Sequence, residues 1–167
     1  MAIDNKIYIT GPAGSGKTFF AKQLSCRHNI PYYSLDEIKW LNDKNVKSYI
    51  LSRSYSEREK LISDILSKNS KWIFDGAYCA DWMNQVFIEA DQIIILNTPL
   101  WLCQWRCVKR YISTYNRKTS SFKALVDLLR WNSTFNKKQL PKIMKKIKEL
   151  NKKYLFILNT KKQDNGH

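Results

Sequence analysis

The residues most able to do chemistry run from Gly11 to Thr18 and read Gly-Pro-Ala-Gly-Ser-Gly-Lys-Thr. They fit the pattern G-x-x-x-x-G-K-[ST], which is typical of a loop that wraps around the phosphates of a nucleoside triphosphate. Glycines let backbone N–H groups turn inward, and the following helix presents its positive N-terminal end to the same point. The contacts are expected from Gly11, Ala13, Gly14, Ser15, Gly16, Lys17 and Thr18. The alternative is a glycine-rich turn that binds nothing.

The reactive groups of such a site have defined roles. Lys17 would reach the β and γ phosphates, and the Thr18 hydroxyl would ligate Mg²⁺. A second acidic residue is needed near the metal, and Asp75 is the best candidate because it closes a short apolar strand. It would hold a magnesium-bound water. The alternative is that Asp75 caps the turn at Gly76.

The surrounding pattern alternates short β-type runs with helical segments. The expected strands are Lys6–Thr10, Tyr32–Leu35, Lys71–Asp75, Asp91–Leu96 and Tyr154–Leu158, with the fourth in a central position. The expected helices are Lys17–His28, Glu57–Lys68, Asp81–Ala90, Pro99–Tyr115, Ser121–Phe135 and Pro141–Asn151. Alternation of this kind predicts βαβ units and a parallel sheet, that is, an α/β fold. The length of 167 residues predicts one domain.

The chain resembles the adenylate-kinase-like branch of P-loop proteins, the nucleoside and small-molecule kinases, over nearly its whole length. Besides the phosphate loop, the matching runs are Leu35–Trp40, Trp72–Tyr78 and Asn97–Leu100. Within that branch the chain is most similar to bacterial proteins called DNA-topology-modulation proteins or adenylate-kinase-related kinases. The resemblance implies a P-loop three-layer sandwich with a five-stranded parallel sheet, a helical lid at about 111–138 and an ATP·Mg²⁺ donor site.

The resemblance also implies roles for three further residues. Arg106 and Arg110 have the four-residue spacing of two lid-side arginines, one packing on the adenine and one meeting phosphate, and Arg110 is also a catalytic candidate. A solvated basic face is the alternative. Asp36 lies where related kinases hold the acceptor and would orient or deprotonate its hydroxyl, although an N-cap role explains it nearly as well.

The chain departs from the family pattern in two ways. Adenylate kinases place an arginine soon after the Asp-Gly pair, but the run here is Asp75-Gly-Ala-Tyr-Cys79. Adenylate kinase activity is therefore not expected. No zinc-type lid is present either, so the closing element would come from about Tyr111 to Lys138. Its candidate phosphate contacts are Arg117, Lys118, Lys123 and Arg130.

The net charge of +15 is concentrated in the second part of the chain. Residues 1–100 carry 12 basic and 11 acidic side chains, whereas residues 101–167 carry 17 basic and 3 acidic ones. The segment 137–153 is rich in lysine and has apolar residues at helical spacing. It predicts either a helix packed on the sheet with solvated lysines or a nucleic-acid patch whose affinity falls with added salt.

Other classes of protein are disfavoured. No N-terminal segment has the layout of a secretory signal, and the uncharged run 92–105 is too short and too polar to span a membrane. The four cysteines form no CxxC pair, which argues against zinc and favours reduced thiols in the cytoplasm. No membrane partner is expected.

Two functions fit these features. The first is an ATP-dependent kinase that transfers the γ-phosphate to a small nucleotide or hydroxyl-bearing acceptor, with Lys17, Asp36 and Arg110 in catalytic roles. The second is an ATP-binding regulatory or DNA-binding protein with little turnover. The sequence does not identify the acceptor or the oligomeric state.

Overall fold

The computed structural model describes residues 4–41, 51–115 and 122–158 of the chain. The strands are β1 (Lys6–Thr10), β2 (Tyr32–Ser34), β3 (Trp72–Asp75), β4 (Gln92–Leu96) and β5 (Lys153–Ile157). The helices are α1 (Lys17–His28), α2 (Leu35–Lys39), α3 (Tyr55–Lys68), α4 (Asn84–Glu89), α5 (Leu100–Tyr115), α6 (Phe122–Thr134) and α7 (Leu140–Glu149). A 3₁₀ turn, Asp81–Met83, leads into α4, and a π-helical turn, Phe135–Gln139, joins α6 to α7.

The strands form one parallel sheet in the order β2-β3-β1-β4-β5. The predicted five-stranded parallel sheet is therefore confirmed. The centre is occupied by β1, while β4, which was expected to be central, lies in the interior between β1 and β5. Short α2 was not expected, because it lies in a polar stretch without clear periodicity.

Both faces of the sheet are covered by helices. Successive side chains of a strand point to opposite faces, so Tyr8 and Ile9 of β1 belong to different cores. Tyr8 packs with Phe74 and with side chains of α3, α4 and α7. Ile9 packs with Ala21 of α1. The result is a three-layer sandwich, in which near-continuous apolar strands are expected because both their faces are buried.

The lysine-rich segment forms an amphipathic helix, as the sequence predicts. Ile143 and Ile147 of α7 are fully buried in the same core as Tyr8. The apolar face of α7 is therefore used for packing on the sheet, and its lysines lie on the outside.

The strand order brings three loops to one edge of the sheet. β1 pairs with β3 on one side, where Ile9 lies opposite Asp75, and with β4 on the other, where Thr10 lies opposite Ile95. The segments that follow these strands leave from the same carboxyl edge on either side of β1. This change of direction in strand order is where ligands bind in open α/β sheets.

Tyr8 ties the central strand to the loop after β3. Its hydroxyl lies 2.8 Å from the carbonyl oxygen of Tyr78 and 3.2 Å from that of Gly76, and its single hydrogen is donated between these two acceptors. Burial raises the pKa of the Tyr8 phenol, so the group stays protonated and able to donate.

We expect Tyr8→Phe to lower the free energy of unfolding by about 1–2 kcal/mol, because it leaves carbonyl groups near the core without a donor. Urea unfolding measures the change. Tyr33→Phe is the matched control, since the Tyr33 ring is only half-buried and packs on Phe74. An equal loss in both variants would show that the Tyr8 hydroxyl has no special role.

Candidate active site

The backbone of the loop 11–18 lies directly against α5. Gly14 and Gly16 have φ angles of 78° and 92°, in the left-handed region that favours glycine. A Cβ atom at Gly14 would lie 2.4 Å from the carbonyl oxygen of Cys103. Glycine is thus required at position 14 both by conformation and by the close approach of the helix.

The loop is also held from outside by side chains of other elements. Three successive carbonyl groups each accept a hydrogen bond: Ala13 from Asn132 at 2.9 Å, Gly14 from Arg106 at 3.1 Å and Ser15 from Thr98 at 3.1 Å. The donors come from α6, α5 and the connection after β4. The loop is therefore part of a network that reaches across the second half of the chain.

Lys17, the first residue of α1, folds back on its own loop. Its ammonium group donates a hydrogen bond to the carbonyl oxygen of Pro12 at 2.8 Å. Burial lowers the pKa of Lys17, while the negative charges of Asp75 and Asp36 oppose the shift. Lys17 therefore lies within the field of both carboxylates that the sequence predicted to be functional.

Asp75 is a buried carboxylate with a hydroxyl donor on each oxygen. Thr18 Oγ1 donates to Oδ2 at 2.8 Å, and the Tyr32 hydroxyl donates to Oδ1 at 2.7 Å. Asp75 is only 3% exposed. Burial raises its pKa, whereas the hydrogen bonds from Tyr32 and Thr18 and the charge of Lys17 counteract the rise. The structure thus brings the two predicted metal-binding residues together.

The alternative role for Asp75, capping the turn at Gly76, is wrong. Both carboxylate oxygens are used by Thr18 and Tyr32. The N–H of Gly76 donates instead to the carbonyl oxygen of Ile9, at 3.1 Å. The sequence did not point to Tyr32, because nothing in the run Tyr32–Ser34 indicates which side chain reaches Asp75 at the end of β3.

The oxygen atoms of Thr18 and Asp75 fit a magnesium ion. Mg²⁺ prefers hard oxygen ligands and usually binds through one or two protein groups, with phosphate oxygens and water completing its shell. Among the described residues no group of three or more His, Cys, Asp or Glu side chains could hold a metal by itself. A site made of one hydroxyl and one carboxylate therefore suits a metal that arrives with a phosphate ligand.

The two arginines of α5 lie beside the loop to different degrees. Arg106 contacts the loop backbone through Gly14. Arg110 lies one turn further along and is exposed, so its contact with nucleotide stays a prediction. Lys123 and Arg130 are exposed on α6, whereas Arg117 and Lys118 lie outside the described residues.

Asp36 lies in the first turn of α2 and is exposed. The Tyr78 hydroxyl donates a hydrogen bond to its Oδ1 atom. Burial, together with the charge of Asp36, raises the pKa of Tyr78, which keeps the phenol protonated. The N-cap position of α2 belongs to Ser34, so the N-cap alternative for Asp36 is wrong.

Arg58 of α3 lies among aromatic side chains and forms no salt bridge with the acidic residues that the structure describes. It is 6% exposed, and its guanidinium carbon lies 5.0 Å from the ring centre of Tyr55 and 5.4 Å from that of Trp82. Its Nε has no hydrogen-bond partner within the described ranges. Two aromatic faces thus flank a buried cation, an arrangement that satisfies part of its charge.

Lys39 is a second cation of the same kind. Its ammonium nitrogen lies 4.6 Å from the ring centre of Trp40 and 4.7 Å from that of Tyr78. Burial and the charge of Arg58 lower the pKa of Lys39. Neither cation takes part in an ion pair in the portion of the chain that the structure describes. Sequence reasoning missed both, because their proximity depends on how α2 packs on α3.

Comparison with known proteins supports the fold. No family model matches the chain. The chain is 28% identical to the uncharacterized protein YqaC of Bacillus subtilis over 134 residues, which cover 78% of this chain and 72% of YqaC. The resemblance to DNA-topology-modulation proteins, in particular, stays a prediction.

Solved structures with a similar fold include two shikimate kinases. The enzyme from Acinetobacter baumannii, in complex with shikimate, gives a TM-score of 0.62 at 16% identity and covers 95% of this chain and 85% of its own. The enzyme from Bacteroides thetaiotaomicron gives a TM-score of 0.56 at 15% identity, with coverage of 95% and 88%. At these identities the likeness establishes a shared α/β fold of the P-loop kinase type.

We expect Asp75→Asn to weaken ATP binding in the presence of Mg²⁺ by about tenfold or more, because the amide removes the charge that complements the cation. Binding in excess EDTA should change much less. Calorimetric titration with and without Mg²⁺ measures both values. Asp91→Asn, at an exposed carboxylate that accepts from the Lys6 N–H, is the control. Equal Mg²⁺ dependence in Asp75→Asn and the wild type would remove Asp75 from the metal site.

Proposed function

We propose that this protein is an ATP-dependent phosphotransferase whose acceptor is a small molecule with a hydroxyl group and an anionic group. The observation that carries the proposal is the hydrogen bond, of 2.8 Å, from the last residue of the glycine-rich loop, Thr18, to the buried carboxylate of Asp75. A phosphate loop whose hydroxyl meets a carboxylate suits Mg²⁺-dependent transfer of a phosphoryl group, and the charges of Asp75 and Asp36 both act on Lys17. The likeness in fold to shikimate kinases supports the same class of reaction.

The donor side is formed by the loop and its neighbours. Backbone N–H groups of Gly14, Gly16 and the start of α1 would hold the triphosphate. Bound Mg²⁺ would supply positive charge to the phosphate oxygens, and Thr18 and Asp75 are the residues to hold it. Lys17 would leave the Pro12 carbonyl and pair with the phosphates. Arg106 and Arg110 would hold the nucleotide from the α5 side.

The transfer needs no covalent intermediate on the protein. The acceptor oxygen forms a bond to the γ-phosphorus as the bond from phosphorus to the bridging oxygen breaks, and ADP leaves. The proton of the acceptor hydroxyl passes to Asp36, whose carboxylate already accepts a hydrogen bond from a hydroxyl group, that of Tyr78. An acceptor hydroxyl would take the place of the phenol or share the carboxylate with it.

The anionic group of the acceptor is inferred from Arg58 and Lys39. The two cations repel one another: burial and the charge of Arg58 lower the pKa of Lys39, whereas the charge of Asp36 opposes the shift. A carboxylate or phosphate bound between them would relieve the repulsion and satisfy the Arg58 Nε. This pair takes over the part that the arginine after Asp-Gly plays in adenylate kinases.

The regulatory or DNA-binding alternative depends on the lysines of 137–153, and the structure gives several of these local partners. Lys146 bonds to Asn84, Lys153 pairs with Asp4 at 2.9 Å and Lys145 pairs with Glu149 at 3.7 Å. The remaining lysines are dispersed on a helix whose apolar face is packed. No specific contact favours nucleic acid over a solvated surface.

The lid at about 111–138, a single domain and a cytoplasmic location belong to the same proposal. α6 and the π-helical turn lie within the lid range, where Lys123, Arg130, Lys137 and Lys138 are exposed. None of the helices in the described ranges is long and apolar enough to cross a bilayer.

We expect ADP release from ATP and Mg²⁺ to be stimulated by at least one acceptor in a panel of nucleoside monophosphates, hydroxy acids and sugar phosphates. Neutral polyols should stimulate less, because they leave Arg58 and Lys39 unpaired. Lys17→Ala should abolish the stimulated rate, and Lys71→Ala, an exposed lysine outside the site, should not. Failure of every acceptor, together with salt-sensitive DNA binding that responds to ATP, would favour the regulatory alternative.

We expect Arg58→Met and Lys39→Met to raise the KM for the stimulating acceptor by about 10- to 100-fold, since hydrogen bonds to charged groups contribute about 1.5–3 kcal/mol. The KM for ATP should stay near the wild-type value. Methionine keeps much of the side-chain volume between the rings, and thermal unfolding checks that the fold is retained. An unchanged acceptor KM in both folded variants would place the anionic group elsewhere.

A further inference from the structure

Three side chains from outside the motif bond to carbonyl groups of the phosphate loop. We propose that Thr98 and Asn132, together with Arg106, are positioning residues that aim the backbone N–H groups of the loop at the phosphates. The inference rests on the proposed function in one respect, since it takes the loop to bind a triphosphate.

The argument begins with the planarity of the peptide bond. In a trans peptide the C=O of one residue and the N–H of the next point in opposite directions. The carbonyl groups of Ala13, Gly14 and Ser15 point at donors outside the loop. The N–H groups of the three residues that follow these carbonyls are therefore turned away from the donors. Those residues are Gly14, Ser15 and Gly16, in the middle of the motif. The Ser15 N–H donates within the loop to the carbonyl oxygen of Pro12, at 3.2 Å, so Gly14 and Gly16 are the two whose N–H groups would meet an anion first.

Asn132 makes a two-point contact that fixes the orientation of one residue. Its amide oxygen accepts from the N–H of Ala13 at 2.8 Å, and its amide nitrogen donates to the carbonyl oxygen of the same residue at 2.9 Å. The side chain is 3% exposed and lies on α6, 119 residues further along the chain. A buried amide with both ends paired to the backbone holds Ala13 against rotation.

Thr98 holds the Ser15 end of the loop. Its hydroxyl donates to the carbonyl oxygen of Ser15, and it is 5% exposed. Thr98 comes two residues after the end of β4, which pairs directly with β1. The loop after β1 and its anchor after β4 are thus mounted on neighbouring strands of one sheet. This common support limits their relative movement.

These three contacts would preorganise the loop before an anion binds. A loop whose N–H groups already converge loses less conformational freedom when an anion binds, and its affinity rises accordingly. Loss of one contact should leave the loop able to bind but less ordered beforehand. The contacts made to the nucleoside part of ATP should not change.

The test compares ATP with inorganic tripolyphosphate, which has the phosphates without the nucleoside. Thr98→Val removes the hydroxyl and keeps the shape, and Thr98→Ser restores the donor. Asn132→Leu keeps the branching of the side chain without its polar atoms. Val86→Ala, at a buried residue of α4 in the Tyr8 core, is the control for general destabilisation. Calorimetry on the full chain with Mg²⁺, well below the unfolding midpoint of each variant, gives the dissociation constants.

Thr98→Val and Asn132→Leu should each weaken ATP and tripolyphosphate by the same factor, about 3- to 10-fold, as expected for loss of a hydrogen bond. Thr98→Ser and Val86→Ala should bind both ligands like the wild type. Wild-type affinities in Thr98→Val, or weakening of ATP without tripolyphosphate, would overturn the inference, and the Thr98 pair decides it if Asn132→Leu does not fold. A wild-type protein that binds neither ligand would overturn the proposed function itself.

Discussion

A loop that binds phosphates through its backbone depends on how its peptide groups are oriented. In this protein three successive carbonyl groups of the loop accept hydrogen bonds from side chains outside it, those of Asn132, Arg106 and Thr98. Two N–H groups also have acceptors: that of Ala13 donates to Asn132 and that of Ser15 to the carbonyl oxygen of Pro12. The backbone of α5 at Cys103 packs directly against Gly14. The strand order β2-β3-β1-β4-β5 makes this possible, because it places the loop between the end of β3 and the end of β4.

The proposed acceptor site, around Asp36, lies at the same edge of the sheet. Tyr8, in the central strand, holds the carbonyls of Gly76 and Tyr78, and the Tyr78 hydroxyl in turn meets Asp36. A chain of hydrogen bonds thus runs from the core to the carboxylate that we propose as the base. Buried tyrosines suit this role since burial raises their pKa and keeps them as donors.

Local features of the sequence were enough to predict the fold and half of the site. Three patterns can be interpreted from a short segment without knowledge of its tertiary neighbours: the motif 11–18, the apolar strand before Asp75 and the helical periodicity of α7. Residues that act through tertiary contacts could not be predicted in this way. Asn132 reads as an ordinary polar residue of α6, and Arg58 as a surface arginine of α3, until packing buries both.

The structure also gives local partners to part of the excess positive charge. Arg106 is used to hold the loop, and several lysines of α7 and β5 have local partners. The basic character of residues 101–167 is therefore accounted for in part by contacts within the fold and, under the proposed function, by a binding site for polyphosphate. It does not by itself require nucleic acid.

The most direct test of the account is transfer of label from ATP that carries ³²P in the γ position. The protein would be incubated with this ATP, Mg²⁺ and a fractionated extract of small metabolites, and the labelled products separated by charge and size. The account predicts label in a small, non-nucleic acid product more anionic than its acceptor, and no such product with Lys17→Ala. Label that appears only as inorganic phosphate, or that remains in ATP with every fraction, would contradict it.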